Sequence, residues 1–176
     1  YNRNLLLRDD PSVDGLKTGY TRAAGYGLVA SAERDGMRLI SVVLGSKSTR
    51  TRKAETRSLL NYGFRFYQTV EPVIAEVSLG QVRVWKGVSE MIDGGLLESM
   101  RLTVARSNEE PQVVTEFNTP LEAPIARGDE LGSLKVILDG EVIAERPLRA
   151  LSDVPAAGFF ARLWDGFMLW LSQLFA

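Results

Sequence analysis

The segment Leu16-Lys17-Thr18-Gly19-Tyr20-Thr21 gathers groups that suit an anionic ligand. Lys17 supplies a fixed cation and Thr18 a hydroxyl. Gly19 has no Cβ, so a substrate backbone can come close to the strand. The main-chain N–H of Tyr20 can donate to a developing oxyanion. A bare Lys-Thr-Gly arises by chance in roughly a few per cent of chains this long, so its weight comes from context. It precedes a hairpin signal and lies in a basic stretch.

The rest of the 176-residue composition restricts the chemistry further. The chain has no Cys and no His. Disulfide scaffolds, cysteine nucleophiles, thiolate metal sites, histidine triads and the usual zinc sites are excluded. Catalysis would run on Lys, Arg, carboxylates, hydroxyls or backbone amides, and no cofactor is expected. The formal net charge of −1 gives no drive toward nucleic acid. Residues 1–70 nevertheless hold 12 Lys+Arg against 6 Asp+Glu, whereas residues 71–155 hold 8 against 15. The sign change suggests separate units, the basic one favouring an anionic ligand. Two solvated surfaces of unequal composition would look the same on charge alone.

The elements that must position Lys17 follow from hydrophobic patterning. Leu16 to Tyr20 reads as extended. Two apolar runs flank Asp35-Gly36, a strong hairpin signal, and the second, Leu39 to Leu44, reads as a central strand covered on both faces. Ser48, Thr49 and Thr51 are candidate N-caps of a helix running to about Tyr67. Leu60, Gly63, Phe64 and Tyr67 share one of its faces. Lys47, Arg50, Arg52 and Lys53 crowd its start, where cations oppose the helix dipole by a few tenths of a kcal/mol each. That placement points to an anion site, a solvated basic end being the plainer reading.

Val70-Glu71-Pro72 reads as a junction. Beyond it come the strand-like runs VIAEVSL, QVRVWKGV, ESMRLTVA, QVVTEF, GSLKVIL and EVIAERPL, separated by Gly and Pro. Their spacing predicts a small all-β sandwich or barrel over 71–155, with acids scattered as on a solvated surface. After Pro155, residues 156–176 form an amphipathic helix whose apolar face includes Phe160, Leu163, Trp164, Phe167, Leu171, Leu174 and Phe175. Arg162 and Asp165 interrupt a stretch of marginal length for spanning, so the expectation is a helix lying on a membrane surface. A dimerisation or domain-packing helix is the alternative. The opening YNRNLLLRDD has no signal peptide and reads as the start of a fragment or of a processed chain.

VDGLKTGYTRAAGYGLVASAERDGMRLISVVLG followed by TRKAETRSLLNYGFRFY resembles the low-molecular-mass, membrane-anchored penicillin-binding D-alanyl-D-alanine carboxypeptidases, which are serine peptidases. The resemblance covers the whole chain. It implies an α+β architecture. Residues 1–70 would be the C-terminal portion of a penicillin-binding/β-lactamase-like transpeptidase domain, antiparallel strands plus a helix. Residues 71–155 would be a β-sandwich domain, and 156–176 an amphipathic anchor.

The activity so implied is acyl transfer. A serine attacks the D-Ala–D-Ala bond of a peptidoglycan stem peptide, terminal D-Ala leaves, and water completes the reaction; β-lactams inhibit it. The family signature is S-x-x-K, an S-x-N type motif and K-T-G. By resemblance, Lys17 supplies positive potential beside the nucleophile, and Thr18 bonds the terminal carboxylate. Gly19 leaves room for the peptide, the Tyr20 N–H forms half of an oxyanion hole, and Arg52 helps hold the carboxylate. Family members often carry His where Tyr20 stands. No S-x-x-K occurs in these residues, so nucleophile and second motif are expected upstream, and this chain alone is expected to be inactive. The implied setting is the periplasmic face of the bacterial cytoplasmic membrane, in cell-wall synthesis and cell shape. Two other readings are a non-catalytic, membrane-attached β-domain module for docking or spacing, and a β-lactamase-like enzyme, which the appended β-domain and anchor argue against.

Overall fold

The computed structural model describes residues 2–107 and 109–174, with the side chains of 172–174 left aside. The chain divides into two units. The first holds residues 1–70 and takes back Thr103–Arg106; the second holds Glu71–Leu102 and everything from Ser107 onward. The architecture is mixed, with helices and largely antiparallel sheets in one chain.

In the first unit a short helix α1 (Leu6–Asp9) leads into β1 (Val13–Thr21), β2 (Gly25–Arg34) and β3 (Met37–Ser46). These make a three-stranded antiparallel sheet in the order β1-β2-β3. The β2–β3 turn is Asp35-Gly36, both at positive φ (49° and 75°), the conformation that this dipeptide supplies most readily in a two-residue hairpin. Helix α2 (Thr49–Phe66) starts at Ser48, whose Oγ accepts from the Thr51 N–H at 3.0 Å. Its buried positions are Arg52, Thr56, Leu60 and Phe64, spaced by four and so on one stripe. The core below that stripe is Leu6, Val13, Leu28, Ala30, Ala32 and Met37. Gly63 belongs to the contact: a Cβ there would stand 2.4 Å from Cδ1 of Leu39.

Strand β3 departs from its expected double burial. Ser41 is buried, but Ile40, Val42 and Leu44 are 64%, 56% and 76% exposed. Alternation along a strand sends these three to one face, and α2 covers the other. Among the described residues nothing covers the bare face.

The second unit begins along β4 (Tyr67–Val73), which pairs with β7 (Met100–Ala105). The expected junction Val70-Glu71-Pro72 is thus inside a strand; Pro is tolerated because a two-stranded ribbon is all edge. The expected strand VIAEVSL is not one beyond Val73. Glu76 sits at φ 60° in a turn, and this stretch is tied by single bonds, Glu76 N–H to Leu96 O and Leu79 N–H to Gly94 O. Its partner region, β6 (Met91–Gly95), is a strand that patterning missed, since Gly94-Gly95 reads as a break. Both glycines are packing devices: a Cβ on Gly94 would lie 2.7 Å from Phe117, and one on Gly95 would lie 2.6 Å from the Val77 carbonyl.

The remaining strands are β5 (Gly80–Trp85), β8 (Gln112–Phe117), β9 (Leu121–Glu122), β10 (Glu130–Leu138) and β11 (Glu141–Ala150), ordered β8-β10-β11-β6-β5-β9 with β6. A small sandwich or barrel was expected. Here the six strands form one hydrogen-bonded array, because β11 pairs along β10 and then reaches β6 through Arg149 and Ala150. Its apolar residues gather in two clusters, one around Val82, Ile92 and Leu131, the other around Leu134, Val136 and Leu148, with Phe117 packed against both.

Helix α3 (Phe159–Leu174) closes this unit. The carboxylate of Asp165 accepts the Lys86 N–H at 2.7 Å, the Ala157 N–H donates to Lys86 O at 2.8 Å, and the Lys86 ammonium pairs with Glu122 at 2.6 Å. Leu169 is buried, whereas Phe160 (84%), Leu163 (65%), Trp164 (65%) and Phe167 (52%) are exposed. Leu171 is half-buried. The side chain of Leu174 and all of Phe175 lie outside the described residues. Among those described, no helix is long and apolar enough to cross a membrane.

Candidate functional site

Strand β1 is an edge strand, so alternate amides on its outer side have no ladder partner. Its alternation also sorts the motif. Lys17 and Gly19 belong to one face, and Thr18 and Tyr20 to the other. Register places Thr18 against Leu28 and Tyr20 against Tyr26. Leu28 is core beneath α2, so the Thr18 face is the one toward the start of that helix.

Arg52, in the first turn and a half of α2, reaches across to this hairpin. The residue is 4% exposed. One Nη1 donates to Gly27 O at 3.1 Å and, at 3.5 Å, to Gly19 O; Nη2 donates to Arg3 O at 3.3 Å. Its Nε is buried with no hydrogen-bond partner. Among the described residues no carboxylate pairs with it. A buried cation met by carbonyl dipoles and an aromatic ring but by no carboxylate is electrostatically incomplete, and a ligand carboxylate would complete it. Two other basic side chains of α2, Lys53 and Arg57, share one carboxylate, that of Asp9.

The expected site residues meet. Lys17, Thr18, Gly19, Tyr20 and Arg52 line one groove of about 670 Å³. A Cβ built on Gly19 meets nothing within 4 Å, so the edge of β1 is open to the groove at that residue. The Lys17 ammonium is exposed and donates to Thr18 O at 2.8 Å. Patterning missed four further lining residues, Arg3, Leu5, Tyr26 and Thr49. Arg3 and Leu5 come from the segment before β1, which carries no periodic signal. Tyr26 was accessible: counting back across the Thr21–Gly25 turn places it opposite Tyr20. With Arg3 included, three cations and no carboxylate line the groove. The expected anchor residues lie on α3, in the other unit.

Backbone carbonyls and a buried guanidinium hold the groove, and its free valences are positive. It suits a small anion at the end of an extended peptide. It offers no cluster of acids for a metal; among the described residues no group of three or more His, Cys, Asp or Glu could hold one.

Comparison with known proteins agrees with this arrangement. The family described as "Penicillin-binding protein 5, C-terminal domain" matches residues 67–156, and that of "D-alanyl-D-alanine carboxypeptidase" matches residues 1–48. The chain is 41% identical to D-alanyl-D-alanine carboxypeptidase DacC of Escherichia coli strain K12, over 99% of this chain and 44% of that protein. It is 38% identical to DacA of the same organism, over 93% of this chain and 41% of that protein. The solved structure of penicillin binding protein 5 from Haemophilus influenzae superposes with a TM-score of 0.78 at 37% identity, covering 88% of this chain and 46% of that one. The chain thus spans less than half the length of these relatives. On matches that run through both units, it belongs to the penicillin-binding protein 5 family of D-alanyl-D-alanine carboxypeptidases and corresponds to the C-terminal part of its members.

Proposed function

We propose that this chain is the acid-gripping part of a serine-type D-Ala-D-Ala carboxypeptidase acting on peptidoglycan stem peptides and inhibited by β-lactams. The observation that carries this reading is the shared groove: buried, carboxylate-free Arg52 beside Thr18, Gly19 and exposed Lys17. A peptide laid along β1 presents its terminal carboxylate to Thr18 and Arg52. The carbonyl of the penultimate residue then faces the Tyr20 amide, and Lys17 lends positive potential on the opposite face of the strand. A serine outside these residues attacks that carbonyl. The C–N bond breaks, D-Ala leaves as the protonated amine, and water hydrolyses the ester. Fixed dipoles and cations, already in place, supply the stabilisation of the tetrahedral intermediate.

The bare apolar face of β3 supports the same reading. Val42 aligns with Val29, and Val29 with Lys17, so the exposed Ile40–Val42–Leu44 stripe shares its face with Lys17. In the longer relatives more than half of the chain lies beyond the matched part, and that remainder is the natural cover for this stripe. The nucleophile would then arrive on the Lys17 side.

The helix α3 serves as a peripheral anchor. Its exposed Phe160, Leu163, Trp164 and Phe167 form an apolar face suited to the membrane interface, which supports attachment to a membrane surface; with peptidoglycan as substrate, the setting that goes with this reading is the periplasmic face of the cytoplasmic membrane, in cell-wall synthesis.

The test is release of D-Ala from diacetyl-L-Lys-D-Ala-D-Ala, together with covalent labelling by a fluorescent penicillin, using the full-length protein. Release and stoichiometric labelling, both sharply reduced by Lys17→Ala, support the proposal. A folded full-length protein that neither labels nor releases D-Ala overturns it and leaves a non-catalytic membrane-attached module as the reading.

A further inference from the structure

Tyr20 and Tyr26 are cross-strand neighbours, and their rings stack at 4.4 Å between centroids with a 36° tilt. Tyr26 is backed in turn by Arg52, whose guanidinium carbon lies 5.8 Å from its ring centroid. The two rings and the cation therefore form one held row, and all three line the groove. Tyr20 is 57% exposed, far more than a ring that served only the core. The pair stands on the Thr18 face of β1, the face that would receive the acid.

We infer that the Tyr20–Tyr26 stack is the wall that sizes the residue to be released. The inference rests on the carboxypeptidase reading above and deepens it. With the acid at Thr18 and Arg52 and the scissile carbonyl at the Tyr20 amide, the released residue spans the two-residue step from Thr18 to Tyr20. A strand rises roughly 3.3 Å per residue, so this residue's side chain leaves the peptide beside the rings. A methyl group fits against a stacked aromatic row. A branched four-carbon side chain must displace Tyr20, which Tyr26 and Arg52 hold in place. The wall also keeps water from the Arg52 side of the acid, which strengthens that contact. The Tyr20 side chain thus acts on specificity, separately from its amide.

The experiment compares kcat/KM of the full-length protein on diacetyl-L-Lys-D-Ala-D-Ala and on the same peptide ending in D-Leu. Tyr20→Ala and Tyr26→Ala should each raise the D-Leu to D-Ala ratio by about tenfold or more, the scale of methylene discrimination in a pocket. The change should appear chiefly in KM for the D-Leu peptide, and Tyr20→Phe should keep the native ratio. A ratio within about twofold of native in the Ala variants overturns the inference while leaving the reaction intact. Should Tyr26→Ala fail to fold, Tyr20→Ala carries the test, its side chain being exposed. Cleavage of neither peptide by the unsubstituted protein overturns the carboxypeptidase reading itself, and the inference with it.

Discussion

Arg52 donates from Nη1 to the main-chain oxygen of Gly27 at 3.1 Å, and this bond is buried. It ties the start of α2 to the strand that neighbours the Lys-Thr-Gly edge. The same guanidinium bonds Arg3 O and reaches Gly19 O, so a single side chain sets the distance between three backbone segments and supplies the deepest positive charge of the groove.

Arg52→Ala should therefore cost stability and binding together. It leaves the buried Gly27 carbonyl and two part-buried ones without this donor, a loss of about 2–3 kcal/mol, and under the proposed function it removes the charge that meets the acid. Arg52→Lys keeps the charge but not the planar fork, so it should recover part of the peptide KM and little of the stability. Urea denaturation and steady-state kinetics on the full-length protein separate the two effects. Equal recovery of both by Lys would show that the fork is not used.

Gly132→Ala should destabilise the β-unit by about 2 kcal/mol or more, through overpacking in a buried strand. A Cβ there would stand 2.0 Å from the Glu116 carbonyl oxygen, and backbone cannot swing aside as a side chain can. Thermal unfolding followed by circular dichroism checks this. A variant as stable as the parent would mean that β8 and β10 pair more loosely than the register implies.

Much of this architecture was legible in the residues. Asp35-Gly36 announced the β2–β3 hairpin, and Ser48 with the face of Leu60, Gly63, Phe64 and Tyr67 announced α2, because caps, two-residue turns and periodicity are local. The groove was partly legible for the same reason: Lys17, Thr18, Gly19 and Tyr20 are contiguous. Arg3 and Thr49 were not, since only the fold brings them to β1. Strand β6 was missed because Gly94 and Gly95 look like a break, whereas their missing side chains make room for Phe117 and the Val77 carbonyl. The bare face of β3 could not be read from LISVVL, where apolar side chains occupy both faces whether or not each is covered.

The acid limb of the stability curve should involve Asp10. Its carboxylate accepts the Ser12 hydroxyl at 2.6 Å and the Ser12 N–H at 3.0 Å, and it pairs with Arg34 at 2.8 Å. These contacts, the Ser12 hydroxyl first, hold its pKa below the usual 3.8. A depressed carboxylate stabilises the fold above its unfolded value and loses that contribution as pH falls through the folded one. Asp10→Asn should thus lower stability at neutral pH and flatten its decline below about pH 4. An unchanged acid limb in urea titrations between pH 3 and 6 would remove Asp10 from the account.

The terminal helix is open to a separate test. Residues 156–176 carry one Arg and one Asp, so adhesion should depend on buried apolar area rather than lipid charge. The full-length protein should sediment with zwitterionic vesicles about as well as with anionic ones, and deleting 156–176 should abolish sedimentation while leaving D-Ala release intact. Vesicle binding that survives the deletion, or that requires anionic lipid and collapses with salt, contradicts an anchor of this kind.

Under the proposed function, the groove between β1 and the start of α2 grips a free carboxylate at the end of a peptide. The most direct measurement is kcat/KM of the full-length protein on a peptide ending in D-Ala-D-Ala against the same peptide with its terminal acid converted to the amide. The amide should lose about a hundredfold or more, since a site built for a charged partner leaves Arg52 unpaired without it. Equal efficiency on the two peptides would contradict it.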